Sequence, residues 1–400
     1  MTIFASRRKK LRVVRKPMSR IAFIHNRFPA GGAEKVTLDI ARYFKGDDNY
    51  EIFVYASHPE LSQADSFQEI LTLRKIPSQG IQSRRSKAIE KLIREDRIDI
   101  LVQIGKSIKD IEGIKHRCGC KVITACHGEV FWQRYMIMHR RQKSRLLWQL
   151  FYRWSYADGS KALKMARKRS LQDYLKCDAY TVLCDKYKEE FEKELGIPKS
   201  CSHVCAIENP QETVENPQLE KEKLILFCGR FENWSKRIDR LLRIWGRVQG
   251  ELGEWRLALV GDGKDRRAME KYAEQLGLER ISFEGFQKNT HEYYRRASIL
   301  CSTSQTEGWP LNVCEAQAEG VIPIAFNCSA GMEKVIAAEK GAGFLVEAFD
   351  EEKYATIVRE IASKNSEELM ELRLNAIREK QNYSADKIVR KWKALFDSLA

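Results

Sequence analysis

Thr306-Glu307-Gly308-Trp309-Pro310-Leu311-Asn312-Val313-Cys314-Glu315-Ala316 follows a short apolar run, Ser298–Ser302, and leads into a helical pattern. The apolar run is of the buried-strand type. Pro310 suits the first helical turn, where a missing N–H costs nothing. The stretch therefore reads as strand, loop, helix. The amides of Leu311, Asn312 and Val313 are then free to face an anion, because a helix start is a ready phosphate site. Glu307 and Glu315 stand eight residues apart, about 12 Å along the axis if both were helical. Because Glu307 precedes the helix, the two are not an adjacent acid and base, and they read as gripping different parts of one extended ligand. Taken alone, such a pair is an ordinary loop residue and an ordinary solvated helix residue.

Working outward, the same arrangement recurs. Gly229-Arg230 follows the strand pattern Leu224–Cys228, with Lys236 six residues later. Arg and Lys in that loop can neutralise a diphosphate. Gly261 and Gly263 follow Arg256–Val260, and Gly285-Phe286 follows Ile281–Glu284. Each element sits at the carboxyl end of a successive strand, where a doubly wound sheet collects its ligand. The first half alternates in the same way, with strands at Ile21–His25, Glu51–Ala56, Ile98–Ile104, Lys121–Cys126 and Ala179–Leu183. A Gly-rich turn at Gly31-Gly32 precedes a helix whose Val36, Ile40, Tyr43 and Phe44 share a face.

This pattern predicts an α/β chain with two Rossmann-like doubly wound domains facing a central cleft. The expected parts are a basic arm over 1–19, a first domain over 20–207, a linker over 208–221 marked by two Asn-Pro pairs, a second domain over 222–383, and an amphipathic helix over 384–400 that crosses back to the first domain. Met18 is a second candidate start. At about 150 residues per domain, 400 residues give two to three domains.

Charge divides along the same line. Up to Pro210 there are 41 Lys/Arg against 24 Asp/Glu, and beyond it 29 against 31, so the whole net charge of +15 belongs to the first half. Met1 to Arg20 holds eight basic residues without an acid, and the first half stays at +9 without them. A basic half beside a neutral one points to an anionic partner for the first domain. Eleven cysteines without a secretory signal suit a reducing, cytoplasmic compartment. The spacings of Cys118 with Cys120 and Cys201 with Cys205 fit zinc ligands poorly, so no metal is expected. No run of 18 apolar residues offers a membrane span.

On these residues the sequence resembles the retaining glycosyltransferases of family 4, which have the GT-B fold. The resemblance rests on Gly31-Gly32-Ala33-Glu34, on Gly229-Arg230 with Lys236, on Glu307 and Glu315, on Ala318–Ile324 as the helix exit into the next strand, and on Asn209-Pro210 as the linker. It implies that Arg230 and Lys236 bind the donor diphosphate together with the Leu311, Asn312 and Val313 amides. It implies that Glu315 holds the ribose, that Phe286 lies beside the base, and that Glu307 contacts the donor sugar near the reacting carbon. Gly32 then lets the first-domain backbone approach the phosphate, and His127, in Cys126-His127-Gly128-Glu129, faces the donor sugar. Lys106 is a weaker cleft candidate. The activity implied is transfer of a hexose or N-acetylhexosamine from a nucleotide-sugar, more specifically a UDP-sugar, to a lipopolysaccharide, capsule, exopolysaccharide or lipid-linked acceptor. Configuration is retained, and neither a cofactor nor an obligatory metal is needed.

Residues 134–170 hold eleven Lys/Arg and one acid, Asp158, interleaved with Trp148, Phe151, Tyr152, Trp154 and Tyr156. The pattern suits an interfacial helix on an anionic membrane, single-stranded nucleic acid, or a core helix beside a solvated basic face. With the resemblance, the membrane reading is preferred and nucleic acid is not favoured, which places the protein on the inner face of a membrane. The competing readings are a non-catalytic nucleic-acid or sugar-nucleotide binder and a sugar-nucleotide epimerase of the same fold. Nucleic-acid binding does not explain Arg230, Lys236, Glu307 and Glu315 in that order, and the spacing of Glu307 and Glu315 argues mildly against an epimerase.

Overall fold

The computed structural model describes residues 18–29, 31–60, 67–78, 82–105, 108–135, 159–211, 213–347 and 349–400. The first sheet contains β1 (Ser19–Phe28), β2 (Tyr50–Pro59), β3 (Thr72–Lys75), β4 (Ile100–Ile104), β5 (Lys121–Ala125), β6 (Ala179–Val182) and β7 (Val204–Ala206), in the order β3-β2-β1-β4-β5-β6-β7. The second contains β8 (Glu222–Cys228), β9 (Arg256–Val260), β10 (Ile281–Gly285), β11 (Ala297–Ser302), β12 (Ile322–Phe326) and β13 (Phe344–Val346), in the order β10-β9-β8-β11-β12-β13. All pairings are parallel. Helices cover both faces of such sheets, so the central strands are apolar throughout, as in Ile21–Ile24 and Leu257–Val260. This is the GT-B fold.

Three strands do not show in the sequence pattern: β3, β7 and β13. All three are edge strands. They are three or four residues long, and β3 carries exposed Arg74 and Lys75. Short, charged edges resist pairing with other chains, and they leave too little alternation to read.

In each sheet the strand order reverses at the centre, between β1 and β4 and between β8 and β11. Ligands bind at the carboxyl ends beside such a switch point. Here the loops leaving β1, β5, β8 and β11 meet across one cleft.

The connection between the sheets is not a loose linker. Glu208, Asn209 and Gln211 are buried. Gln211 pairs with Ser384, and its N–H donates to the Tyr383 carbonyl at 2.9 Å. The outgoing and returning crossings therefore run side by side. The returning helix, Ala385–Leu399, packs on the first sheet, with Phe396 6.5 Å from Phe23 and 6.1 Å from Phe44 between ring centres. Lys391 holds Glu208 at 2.6 Å.

Candidate functional site

The second-domain wall of the cleft is built on glycines that let three loops stack. Gly261 has φ +134°, and a Cβ there would collide with the Gly229 carbonyl. A Cβ on Gly263 would stand 2.6 Å from the Phe231 carbonyl oxygen. With no side chain in the way, the Gly229 N–H reaches Val260 O at 3.0 Å and the Gly261 N–H reaches Gly285 O at 2.8 Å. The stacked loops present Arg230, 78 % exposed, and Phe286, 76 % exposed, to the cleft side of the sheet. Among the described residues the one carboxylate paired with Arg230 is Glu232, at 3.8 Å.

Lys236 closes the short helix Asn233–Lys236 and points at the loop after β11. Its Nζ donates to Glu307 Oε1 at 2.5 Å, and Ser304 Oγ donates to the same oxygen at 2.8 Å. The cation expected on the diphosphate and the acid expected on the sugar thus already touch, both largely out of solvent. The helix that follows spans Leu311–Ala318, with Pro310 as its cap. Asn312 Nδ2 donates to the Cys228 carbonyl at 3.0 Å and ties the helix start to β8.

One expectation is corrected here. The Val313 N–H is not free, because it donates to Pro310 O at 3.0 Å, as does that of Cys314 at 3.2 Å. The cap carbonyl accepts the first helical bonds, and the tight first turn draws Val313 into them. Leu311 and Asn312 retain the amides that a helix start leaves without an internal acceptor. Trp309 turns away into the core, edge-on to Tyr383 at 5.0 Å.

Glu315 lies one turn on. Its Oε2 accepts from Tyr294 OH at 3.0 Å, and its Oε1 is 3.5 Å from Lys35 Nζ of the first domain. A cavity of about 220 Å³ opens beside it, lined by Lys35, Gln211, Asn289, His291 and Lys380.

The first-domain wall comes even closer. A Cβ on Gly32 would stand 3.0 Å from Leu311 Cδ1, and one on Gly308 would stand 2.6 Å from Gly128 Cα. The two domains meet here backbone to backbone, directly beside Glu307. His127 Nδ1 bonds Asn209 Oδ1 at 3.0 Å. Burial lowers the His127 pKa to about 4, so the ring is neutral at physiological pH. With Nδ1–H donating to the amide oxygen, Nε2 carries the lone pair.

Two contributors to the site went unassigned in the sequence. Glu129 is buried, its Oε2 accepts from Thr306 Oγ1 at 2.8 Å across the cleft, and it is held from its own side by Arg134 and Tyr135. Burial raises its pKa, opposed by Arg134. Tyr187 OH donates to the carbonyls of Glu307 at 3.1 Å and Gly308 at 3.3 Å. Adjacency to His127 was the one available signal for Glu129, while nothing local marks Tyr187.

Lys106 and residues 136–158 of the basic aromatic stretch lie outside the described residues. Among the described residues no group of three or more His, Cys, Asp or Glu gathers as a metal site, and no helix is long and apolar enough to cross a membrane.

Two family models match the chain end to end: glycosyltransferase family 4 over residues 30–210 and glycosyl transferases group 1 over residues 209–382. An uncharacterized glycosyltransferase of Haemophilus influenzae is 25 % identical over 383 residues, 93 % of this chain and 98 % of the relative. The Campylobacter jejuni GalNAc-alpha-(1->4)-GalNAc-alpha-(1->3)-diNAcBac-PP-undecaprenol alpha-1,4-N-acetyl-D-galactosaminyltransferase is 23 % identical over 84 % of this chain and 86 % of its own. Among solved structures, Anabaena HepE in complex with UDP and glucose superposes with a TM-score of 0.72 at 16 % identity, covering 95 % of this chain and 100 % of that one.

Proposed function

The chain belongs to the family-4 glycosyltransferases of group 1, and from that premise we propose that it moves a hexose or N-acetylhexosamine, with retention, from a UDP-sugar to a glycan of the lipopolysaccharide, capsule, exopolysaccharide or lipid-linked class. The observation that carries the reading is the Lys236–Glu307 pair at the switch point of the second sheet, faced by Gly32 and His127. The donor class is supported by the UDP bound to HepE, and the acceptor class by the undecaprenol-linked glycan in the name of the Campylobacter relative.

The chemistry follows from where charge develops. As the bond from the anomeric carbon to the phosphate oxygen breaks, negative charge builds on the diphosphate and positive character on the sugar ring. Arg230, Lys236 and the Leu311 and Asn312 amides are set to meet the leaving oxygen, and preorganised donors of this kind supply the largest share of such catalysis. The acceptor hydroxyl attacks the same face of the sugar. Its oxygen forms the new bond to the anomeric carbon, and its proton passes to the departing phosphate. Glu307 and the Nε2 lone pair of neutral His127 accept hydrogen bonds from the donor sugar. With cations already at the leaving group, transfer proceeds without a metal ion, and EDTA leaves the rate unchanged.

The membrane reading remains part of the proposal. Lys161, Lys164, Lys168 and Arg169, in the described end of the basic aromatic stretch, are exposed, and flotation with anionic liposomes at moderate salt tests it. The decisive experiment for the reaction is a thermal-shift panel of nucleotide-sugars followed by product analysis. A UDP-sugar raises the melting temperature and yields a product of unchanged anomeric configuration. Stabilisation by no nucleotide-sugar, or an inverted product, refutes the reading.

A further inference from the structure

Among the described residues, the carboxyl ends of β1, β2 and β3 carry three basic side chains that form no ion pair. Arg27 on β1 stands in register with His58 on β2, and Lys75 ends β3, opposite Ala56. All three are exposed, and with Ser57, Pro59 and Glu60 they line a cavity of about 410 Å³ at the carboxyl ends of these strands.

The neighbouring cations of the same βα units are paired. Arg20 meets Glu51 at 3.0 Å, Arg74 meets Asp96 at 2.9 Å and Lys45 meets Glu69 at 2.7 Å. Among the described residues Arg27, His58 and Lys75 have no ion pair. Gathering like charges costs self-repulsion. Here it occurs at the carboxyl ends of the strands, where a doubly wound fold places its ligand. Glu60 offsets one charge, which leaves the cavity cationic.

Building on the glycosyltransferase reading above, we propose that Arg27, His58 and Lys75 form a subsite for an anionic group of the acceptor, a phosphate or diphosphate. Arg27 on β1 and Lys75 on β3, on either side of His58 on β2, match its several oxygens and its charge. Position sharpens the assignment. His127 leaves β5, and strands are about 4.8 Å apart, so β1 lies about 10 Å and β3 about 19 Å away along the sheet. An acceptor hydroxyl at His127 is therefore too far from the subsite to share a sugar ring with the bound anion. The acceptor is a short glycan that carries its phosphate on a neighbouring unit, not a free sugar phosphate that accepts at its own ring.

The experiment is calorimetric titration of inorganic pyrophosphate into the full chain saturated with UDP, so that the donor diphosphate site is already filled. Wild type binds one further equivalent. Arg27→Ala/Lys75→Ala binds it at least tenfold more weakly, the size expected on losing charge-assisted hydrogen bonds, while Arg27→Lys recovers part of the loss. UDP affinity in each variant reports that the chain is folded. Farnesyl diphosphate binding more tightly than pyrophosphate assigns the anion to a lipid-linked acceptor, and glucose 6-phosphate binding more tightly assigns it to a phosphorylated glycan. Both outcomes support the subsite. Equal pyrophosphate affinity in wild type and the double variant, or no second equivalent, overturns it. Failure of UDP to bind counts against the donor reading alone, because the pyrophosphate comparison between the two chains still stands.

Discussion

Glu307 accepts from both Lys236 and Ser304, at 2.5 and 2.8 Å. In the proposed reaction the donor sugar enters this arrangement and exchanges one of those bonds for its own. Glu307→Gln keeps the shape and removes the charge, so kcat should fall about 100-fold, as for loss of one preorganised transition-state contact. Nucleotide affinity should change little, and steady-state kinetics beside direct binding separates the two. Thr306 is the contact through which Glu129 reaches this loop. Thr306→Val leaves a buried carboxylate oxygen without its donor and should cost about 1–3 kcal/mol, read as a lowered melting temperature together with a reduced kcat. His127 has a folded pKa of about 4, below the ordinary histidine value near 6.5. Between these limits the unfolded chain binds a proton that the folded chain does not, so this histidine makes stability fall as pH drops from about 6.5 towards about 4. NMR titration of the His127 ring should show no midpoint above pH 5. A midpoint near 6.5 would remove the neutral-acceptor role.

At the level of elements, the loop after β5 and the loop after β11 meet backbone to backbone. A Cβ on Gly308 would stand 2.6 Å from Gly128 Cα and 2.8 Å from His127 O. Those are backbone atoms and cannot swing aside as a side chain can. Gly308→Ala should therefore force the two loops apart at a cost of about 1–3 kcal/mol, and small-angle scattering should show a larger radius of gyration in a chain that is still folded. The helix start at Leu311 shows what sequence reading can and cannot do. That Pro310 begins a helix with Leu311 and Asn312 offered to an anion is legible from residue types. That Val313 is consumed by the cap depends on how tightly the first turn closes, and packing sets that.

Across the whole molecule, the helix Ala385–Leu399 makes the two sheets one body, since its buried face rests on the domain from which it is distant in sequence. Phe396→Ala removes contacts with Phe23, Phe44 and Trp392 and should cost about 3–5 kcal/mol. Calorimetry should then resolve two unfolding transitions where wild type shows one. A single transition at an unchanged temperature would mean that the helix does not couple the domains.

Residue chemistry and period alone determined the two α/β units, the placement of Arg230, Lys236, Glu307 and Glu315 at strand ends, and the confinement of net charge to one half. These are local properties, fixed by spacing along one strand–loop–helix unit or by counting. Tertiary structure alone decided that Lys236 meets Glu307, that Lys35 reaches Glu315, that Glu129 and Tyr187 hold the Glu307 loop from the other domain, and that the start of the linker, 208–211, is buried beside the returning crossing. The reason is distance along the chain. Each of these contacts joins residues separated by some 70 to 280 positions, and no pattern within one element records which strand end will face it across a cleft.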